Sequence, residues 1–311
     1  MTGARTDLSR HRVLVGVDGS PGSSATLGYA ASEARRRDTG LRLVHVVPDY
    51  AAMSPMLPMV PSELEATGRK ILERAATEAA DLVGRERVVT SLVRGSRVPS
   101  LVRAAEHAVV VVLGREDIRL VERLVTVATT IGVASRSARP TIAVPPGWAE
   151  PAETLPVVVG LKSTDHARGL LRRGFETAAG HGAPLVVVHA WELPSGYGDM
   201  IADRVGREEW HARLASQAEP HLAEWRAAFP DVRVELRIVH GQPARVLQAA
   251  TAGAGLLLVV RRLYGFPGGH LGGTGRTLLR SSACPVEVVP VGVVADLETA
   301  APVHRGGALL T

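Results

Sequence analysis

Apolar residues in this chain come in short runs, and between the runs they recur at helical spacing. Residues 13–17, 41–47 and 109–113 are dominated by Val and Leu, as strands buried on both faces require. The stretch 23–37 is different: Ala and Leu fall at helical intervals, and Arg35, Arg36 and Arg37 sit at its end, where they complement a helix dipole. Ser62 with Glu65 forms a capping-box pattern opening a helix through Leu64, Ile71, Leu72, Ala75, Ala79 and Leu82. A strand near 88–93, a helix from Pro99, the strand 109–113, a further helix and the strand 141–144 complete the pattern. Strands alternating with helices predict an α/β fold with a parallel, doubly wound sheet and right-handed crossovers. In such sheets ligands bind beyond the carboxyl ends of strands, where the strand order reverses.

The whole pattern then occurs again. Val13-Leu14-Val15-Gly16-Val17-Asp18 returns as Val157-Val158-Val159-Gly160-Leu161-Lys162, and His45 and His189 each follow 27 residues after Asp18 and Lys162. Arg94-Gly95-Ser96-Arg97-Val98-Pro99 is answered by His240-Gly241-Gln242-Pro243, and Pro140-Thr141-Ile142-Ala143-Val144-Pro145 by Pro285-Val286-Glu287-Val288-Val289-Pro290. The chain thus reads as two tandem, Rossmann-like domains, residues 10–147 and 155–292, offset by 144 to 146 positions and joined by a Pro- and Glu-bearing connector. Residues 293–311 carry no periodic pattern and are expected to be a flexible tail. The residues just after Val17, Leu113, Leu161 and Val260 fall at the predicted crevices.

Composition narrows the function classes. No run of about 18 apolar residues occurs, so no membrane helix is expected, and the basic N-terminus has no apolar stretch of the secretory kind behind it. A single cysteine, Cys284, allows neither an internal disulfide nor a thiolate metal cage, which suits a cytoplasmic setting. The net charge of +5 invites a nucleic-acid reading, yet only Lys70 and Lys162 are lysine, and arginines are interleaved with acids rather than blocked together. That skew reads as a GC-rich coding bias, and nucleic acid is not the expected partner.

At its strand ends the chain resembles the universal stress protein family in its tandem two-domain form. The resemblance rests on Val15-Gly16-Val17-Asp18-Gly19-Ser20, on Gly241-Gln242-Pro243 before a Leu- and Ala-rich helix, and on Ser282-Ala283-Cys284-Pro285-Val286. It implies an adenine-nucleotide-type α/β sheet; some members bind ATP, others do not, and many dimerise through the last strand. It also implies a strand pairing of 141–144 with 286–289 about a pseudo-twofold axis, leaving a further homodimer open.

Nucleotide-binding members carry, after the fourth strand, a glycine, two residues, a second glycine, nine residues, then Gly-Ser or Gly-Thr. Such glycines let backbone N–H groups approach phosphates, and a helix N-terminus adds donors. In the first copy Asp18 supplies the acid that helps hold adenosine, and Gly114 occupies the first glycine position. Asp117 takes the second glycine position and Val127-Ala128 the closing pair, so the resemblance implies a lost triphosphate cradle with the adenosine end retained. In the second copy Lys162 replaces the acid, and Val260 and Leu263 replace the glycines. There Gly265, Gly268, Gly269, Gly272 and Gly273 form a glycine-rich loop and Gly273-Thr274 fits the closing pair, while counting back from Cys284-Pro285 gives Gly272-Gly273 instead. With Arg261, Arg262 and Lys162 nearby, that loop reads either as a flexible, basic-rimmed loop or as an anion site, a glycine-rich loop alone being a weak signal.

The remaining candidates have simpler explanations. His45 and His189 read as strand histidines satisfied by backbone, and Cys284 as a buried, inert thiol. Ser20 or Ser23 is expected to cap the first helix. His240 and His270 approach the crevice of the second copy. The loop 48–61, with Met53, Met56 and Met59, suits a connector or a lid. No acid, base and nucleophile converge. The expected function is a stress-response regulator with residual ATP binding and no catalysis, the site residues being Asp18, Gly114, Gly268, Gly269, Gly273 and Thr274. The alternative is an interaction or scaffold protein of the same fold that binds no nucleotide.

Overall fold

The computed structural model describes residues 11–48, 61–115, 124–161, 167–192, 207–261 and 271–299. The first half runs β1 (Val13–Gly16), α1 (Ser23–Arg36), β2 (Leu41–Val47), α2 (Pro61–Val83), β3 (Val88–Arg94), α3 (Arg97–Ala104), β4 (Val110–Gly114), α4 (Leu124–Arg136) and β5 (Thr141–Val144). The second runs β6 (Val157–Leu161), α5 (Ala167–His181), β7 (Leu185–Trp191), α6 (Arg207–Ala228), β8 (Val234–His240), α7 (Pro243–Ala250), β9 (Leu256–Arg261), α8 (Gly273–Ser281), β10 (Val286–Pro290) and α9 (Val291–Thr299).

All ten strands join one sheet in the order β3-β2-β1-β4-β5-β10-β9-β6-β7-β8. Each half therefore repeats one doubly wound order, with its reversal between β1 and β4 or between β6 and β9. Pairing is parallel within the halves. The halves meet through an antiparallel junction, Val286 opposite Ala143, Glu287 opposite Ile142 and Val288 opposite Thr141, the pairing that the resemblance implied.

Side chains alternate between two faces, as a strand requires. Val13, Val15, Val110, Val112, Val157 and Val159 fall in one core that is continuous across both halves beneath α1, α2, α5 and α6. On the opposite face lie two cores: Leu14, Val44, Val111 and Leu113 pack with Leu101 in the first half, and Val158, Val188 and Leu257 pack with Leu247 and Leu278 in the second and are joined across the junction by Ala134 and Ala143. Because the strands are buried on both faces, they read as apolar runs with little polar alternation.

Buried charge sits at the seam between the halves. Glu33 of α1 is 2% exposed; it accepts from Arg37 Nε at 2.6 Å and from Arg36 Nη2 at 3.3 Å, and His181 Nε2 of the second half lies 3.6 Å away. Burial alone would raise this carboxyl, but Arg37, His181 and Arg36 together hold it well below the usual carboxylate range. Glu287, fully buried in β10, accepts from Arg173 of α5 through Nε at 3.0 Å and Nη2 at 2.9 Å.

Two local expectations are corrected. Ser62 lies inside α2, which opens at Pro61, and Glu65 pairs with Arg69 at 3.1 Å and with Arg94, so it serves ion pairs that link α2 to β3. Residues 293–299 belong to helix α9 and are no frayed tail; 300–311 lie outside the described residues. The helix holds because α5 presents Gly169 to it: a Cβ there would stand 2.1 Å from the Val294 carbonyl oxygen. Arg168 and Arg172 then donate to the Glu298 and Leu297 carbonyls at 2.6 and 3.2 Å, satisfying last-turn acceptors that a helix end leaves open.

Candidate functional site

The first crevice opens where β1 and β4 end, a cavity of about 100 Å³. Asp18 is its polar centre. The Ser20 N–H donates to Asp18 Oδ1 at 2.9 Å, the Ser23 hydroxyl donates to the same oxygen at 3.2 Å, and the two serine hydroxyls lie 3.5 Å apart. This corrects the expectation that the serines cap α1. The N-cap is Gly22, no side chain bonds there, and the serines instead fold the loop around the carboxylate in an Asx-type turn.

Gly114 closes β4 on the far side of the crevice. A Cβ at this position would stand 2.7 Å from Thr26 Oγ1, so a larger residue would displace the Thr26 hydroxyl from the crevice wall. The Thr130 hydroxyl of α4 donates to the Gly114 carbonyl at 3.0 Å and fixes the opposite wall. His45 lines the cavity, with Nδ1 2.7 Å from the Val17 carbonyl oxygen. A carbonyl only accepts, so Nδ1 carries the proton and, in the neutral ring, Nε2 is the acceptor nitrogen. Arg97, Arg115 and Thr129 complete the polar lining.

The second crevice, about 320 Å³, opens where β6 and β9 end, and its character differs. Leu161, Ala190, Leu247, Val260, Leu271 and Leu278 give it aliphatic walls. Its polar part is the start of α8, where Gly272 is an extended N-cap with no side-chain capping bond, followed by Gly273 and Thr274. The first-turn N–H groups of a helix lack intrahelical partners and carry the positive end of its dipole, so a bare start of this kind suits an anion. No heavy atom lies within 4 Å of a Cβ built at Gly273, which leaves the approach open. His189 repeats the role of His45: it bonds the Leu161 carbonyl, and burial lowers its pKa against the opposing pull of that bond.

The six expected site residues therefore divide between two places. Asp18 and Gly114 belong to the first crevice, Gly273 and Thr274 to the second, and Gly268 and Gly269 lie outside the described residues, as do Asp117, Lys162, Arg262, Leu263, Gly265, His270 and the 49–60 part of the Met-bearing loop. The anion-site reading of Arg261 is overturned. Its side chain is buried, with Nη1 donating to the Ala134 and Ser137 carbonyls of the first half at 3.0 and 2.8 Å, and burial lowers its pKa. His240 packs on Trp191, ring centroids 4.5 Å apart, and is not part of the crevice lining. Cys284 is 3% exposed, and burial pushes its thiol up to about 12, in keeping with an inert core residue.

Sequence reasoning passed over Arg97, Thr129 and Thr130. The repeat held a signal for one of them. Ser137 N–H donates to the Val133 carbonyl at 2.8 Å and Ser282 N–H to the Leu278 carbonyl at 3.1 Å, so α4 and α8 end alike. Counted back from that shared end, Thr129 stands where Thr274 does, and both line their crevices.

Among the described residues no three His, Cys, Asp or Glu side chains gather as metal ligands, and no helix is long and apolar enough to cross a membrane. A carboxylate, hydroxyls and arginines line one switch point, and a bare helix start the other, at the carboxyl edge of a tandem α/β sheet. The family model for universal stress proteins matches residues 9–145 and again 154–290, and the chain belongs to that family. A universal stress protein of Mycobacterium tuberculosis is 30% identical over 294 residues, covering 90% of this chain and 97% of the relative. One from Mycolicibacterium smegmatis is 28% identical over 289 residues, covering 90% and 97%. In fold, the crystal structure of a universal stress protein from Archaeoglobus fulgidus superposes with a TM-score of 0.65 at 18% identity, covering 91% of this chain and 98% of that one.

Proposed function

We propose that this chain is a cytoplasmic stress-response regulator that binds adenine nucleotide without turning it over. The observation that supports this reading is the pair of crevices at the two strand-order reversals, one centred on Asp18 and the other on the bare start of α8. In the first, Asp18 and the hydroxyls around it suit the hydroxyl and amino groups of an adenosine. In the second, the N–H groups of Gly273 and Thr274 suit a phosphate, with aliphatic walls for the base. Among the described residues no serine hydroxyl of either crevice bonds a histidine, which supports binding in place of catalysis. The β5 and β10 edges are used within the chain, so a homodimer would have to form through another surface.

Isothermal titration of nucleotide-stripped protein with ATP and Mg²⁺, beside adenosine, tests the reading. Asp18→Ala is expected to weaken both ligands. Gly273→Val is expected to abolish the phosphate-dependent part of the affinity and leave the fold intact. Equal affinity for ATP and adenosine in the unmutated chain would remove the phosphate role of α8. Absence of heat at millimolar ATP would assign the chain to interaction proteins of the same fold that bind no nucleotide.

A further inference from the structure

The two crevices are joined by an exchange of arginines. Arg115 follows Gly114 directly and lines the first crevice. Its guanidinium leaves that half of the molecule, and Nη2 donates to the Ser282 carbonyl at 2.6 Å. Ser282 is the C-cap of α8, whose other end, Gly273 and Thr274, lines the second crevice. In the opposite direction, Arg261 follows Val260, which lines the second crevice, and donates to the Ala134 and Ser137 carbonyls where α4 ends. Helix α4 carries Thr129 and Thr130 into the first crevice. Each arginine thus stands beside one crevice and holds the helix that builds the other.

The two grips share one acceptor position: Arg115 takes the carbonyl of Ser282, just past α8, and Arg261 that of Ser137, just past α4. Arg261 also takes the Ala134 carbonyl, a last-turn acceptor that lacks an intrahelical donor and lies at the negative end of the dipole. Helix α8 has nine residues and is about 13 Å long, so restraint at Ser282 reaches Thr274 through a single short rod. Leu278, one turn before Ser282, is itself a crevice wall. The contacts also close a circuit, because the Thr130 hydroxyl bonds the Gly114 carbonyl immediately before Arg115.

We propose that Arg115 and Arg261 are positioning residues that couple the crevices, so that order in one sets order in the helix of the other. The consequence for ligands rests on the nucleotide reading above; the brace itself does not.

Hydrogen exchange on the full chain, followed by mass spectrometry, separates the two. Without ligand, Arg115→Gln is expected to speed exchange in α8 by about three- to tenfold, the loss of one charge-assisted hydrogen bond, and to leave α4 near its original rate. Arg261→Gln is expected to do the reverse. Arg115→Lys, which keeps a donor of similar reach, is expected to restore protection in α8, and the urea midpoint distinguishes local loosening from general destabilisation. With saturating ATP and Mg²⁺, both helices are expected to gain protection in the unmutated chain, with the gain in α8 reduced in Arg115→Gln. The brace is overturned if Arg115→Gln leaves α8 unchanged, or if every peptide of the second half speeds up together. Protection confined to the helix of the occupied crevice in the unmutated chain overturns the coupling. The crossed pattern without any protection by ATP upholds the brace and removes the nucleotide reading.

Discussion

Replacing Glu33 by Gln tests how the buried charge at the seam between the halves is held. Glu33 is 2% exposed and is gripped by Arg36 and Arg37 of its own helix and by His181 of the other half. Removing one partner of a buried ionic cluster costs about 3–5 kcal/mol, chiefly because the surviving charges are left uncompensated. The low end applies here, since the Arg36 and Arg37 side chains are 24% and 25% exposed and recover some hydration. A loss of about 3 kcal/mol is therefore expected at pH 7, more than a hundredfold in the folding equilibrium. The pH dependence has a definite sign. The carboxyl is depressed in the folded chain, so its stabilisation is fully present above the unfolded value, near 4.5, and is lost as pH falls towards the folded value. Urea unfolding of both proteins between pH 7 and pH 3 measures this. The gap between them should be widest at pH 7 and narrow below about pH 4.5. A gap under about 1 kcal/mol at pH 7, or one that stays constant across the range, would refute the assignment of Glu33 as a buried, charged carboxylate held by its arginines.

Other substitutions probe separate parts of the argument. Gly114→Val places a Cβ 2.7 Å from Thr26 Oγ1 and should destabilise the first half by about 1–3 kcal/mol, seen as a lower urea midpoint; an unchanged midpoint would deny the close approach of α1. Gly169→Val meets the Val294 carbonyl oxygen at 2.1 Å and should release α9, detected as new proteolytic cleavage within 291–299 while the sheet stays protected. Trp225→Ala empties a fully buried position on the core side of α6 and should cost about 3–5 kcal/mol by urea titration. Cys284, with its thiol near 12, should resist a thiol reagent at pH 8 until denaturant is added, and rapid labelling of the folded chain would contradict its burial.

The doubly wound halves were legible because their strands are buried on both faces, which leaves apolar runs such as Val13-Leu14-Val15 in plain view. The junction of 141–144 with 286–289 followed from the family resemblance alone. Less was legible wherever the deciding contact lay far along the chain. Arg261 beside a glycine-rich loop looked like an anion ligand, but its partners, Ala134 and Ser137, are 127 and 124 residues away. Helix α9 was hidden because Val291-Gly292-Val293-Val294 continues the apolar strand before it, and its helical form depends on Gly169 and two arginines of α5. The serines after Asp18 have local partners, yet a capping role and a loop folded on the carboxylate share one sequence pattern.

Duplication separates what the fold needs from what the crevices do. Positions that hold the architecture are the same in both copies: a strand histidine bonded to the carbonyl at the end of the neighbouring strand, His45 and His189, and an arginine that grips the helix of the other half, Arg115 and Arg261. Positions that give a crevice its chemistry differ. Asp18 is answered by Lys162, Gly114 by Val260 and Arg97 by Pro243. One crevice therefore holds a carboxylate among hydroxyls and guanidinium groups, and the other a bare helix start between aliphatic walls. A ligand with a polar sugar and a phosphate meets different partners at each, so the two crevices should differ in what they select. Each crevice is lined by its own half, while the arginine contacts tie the far end of its last helix to the other half.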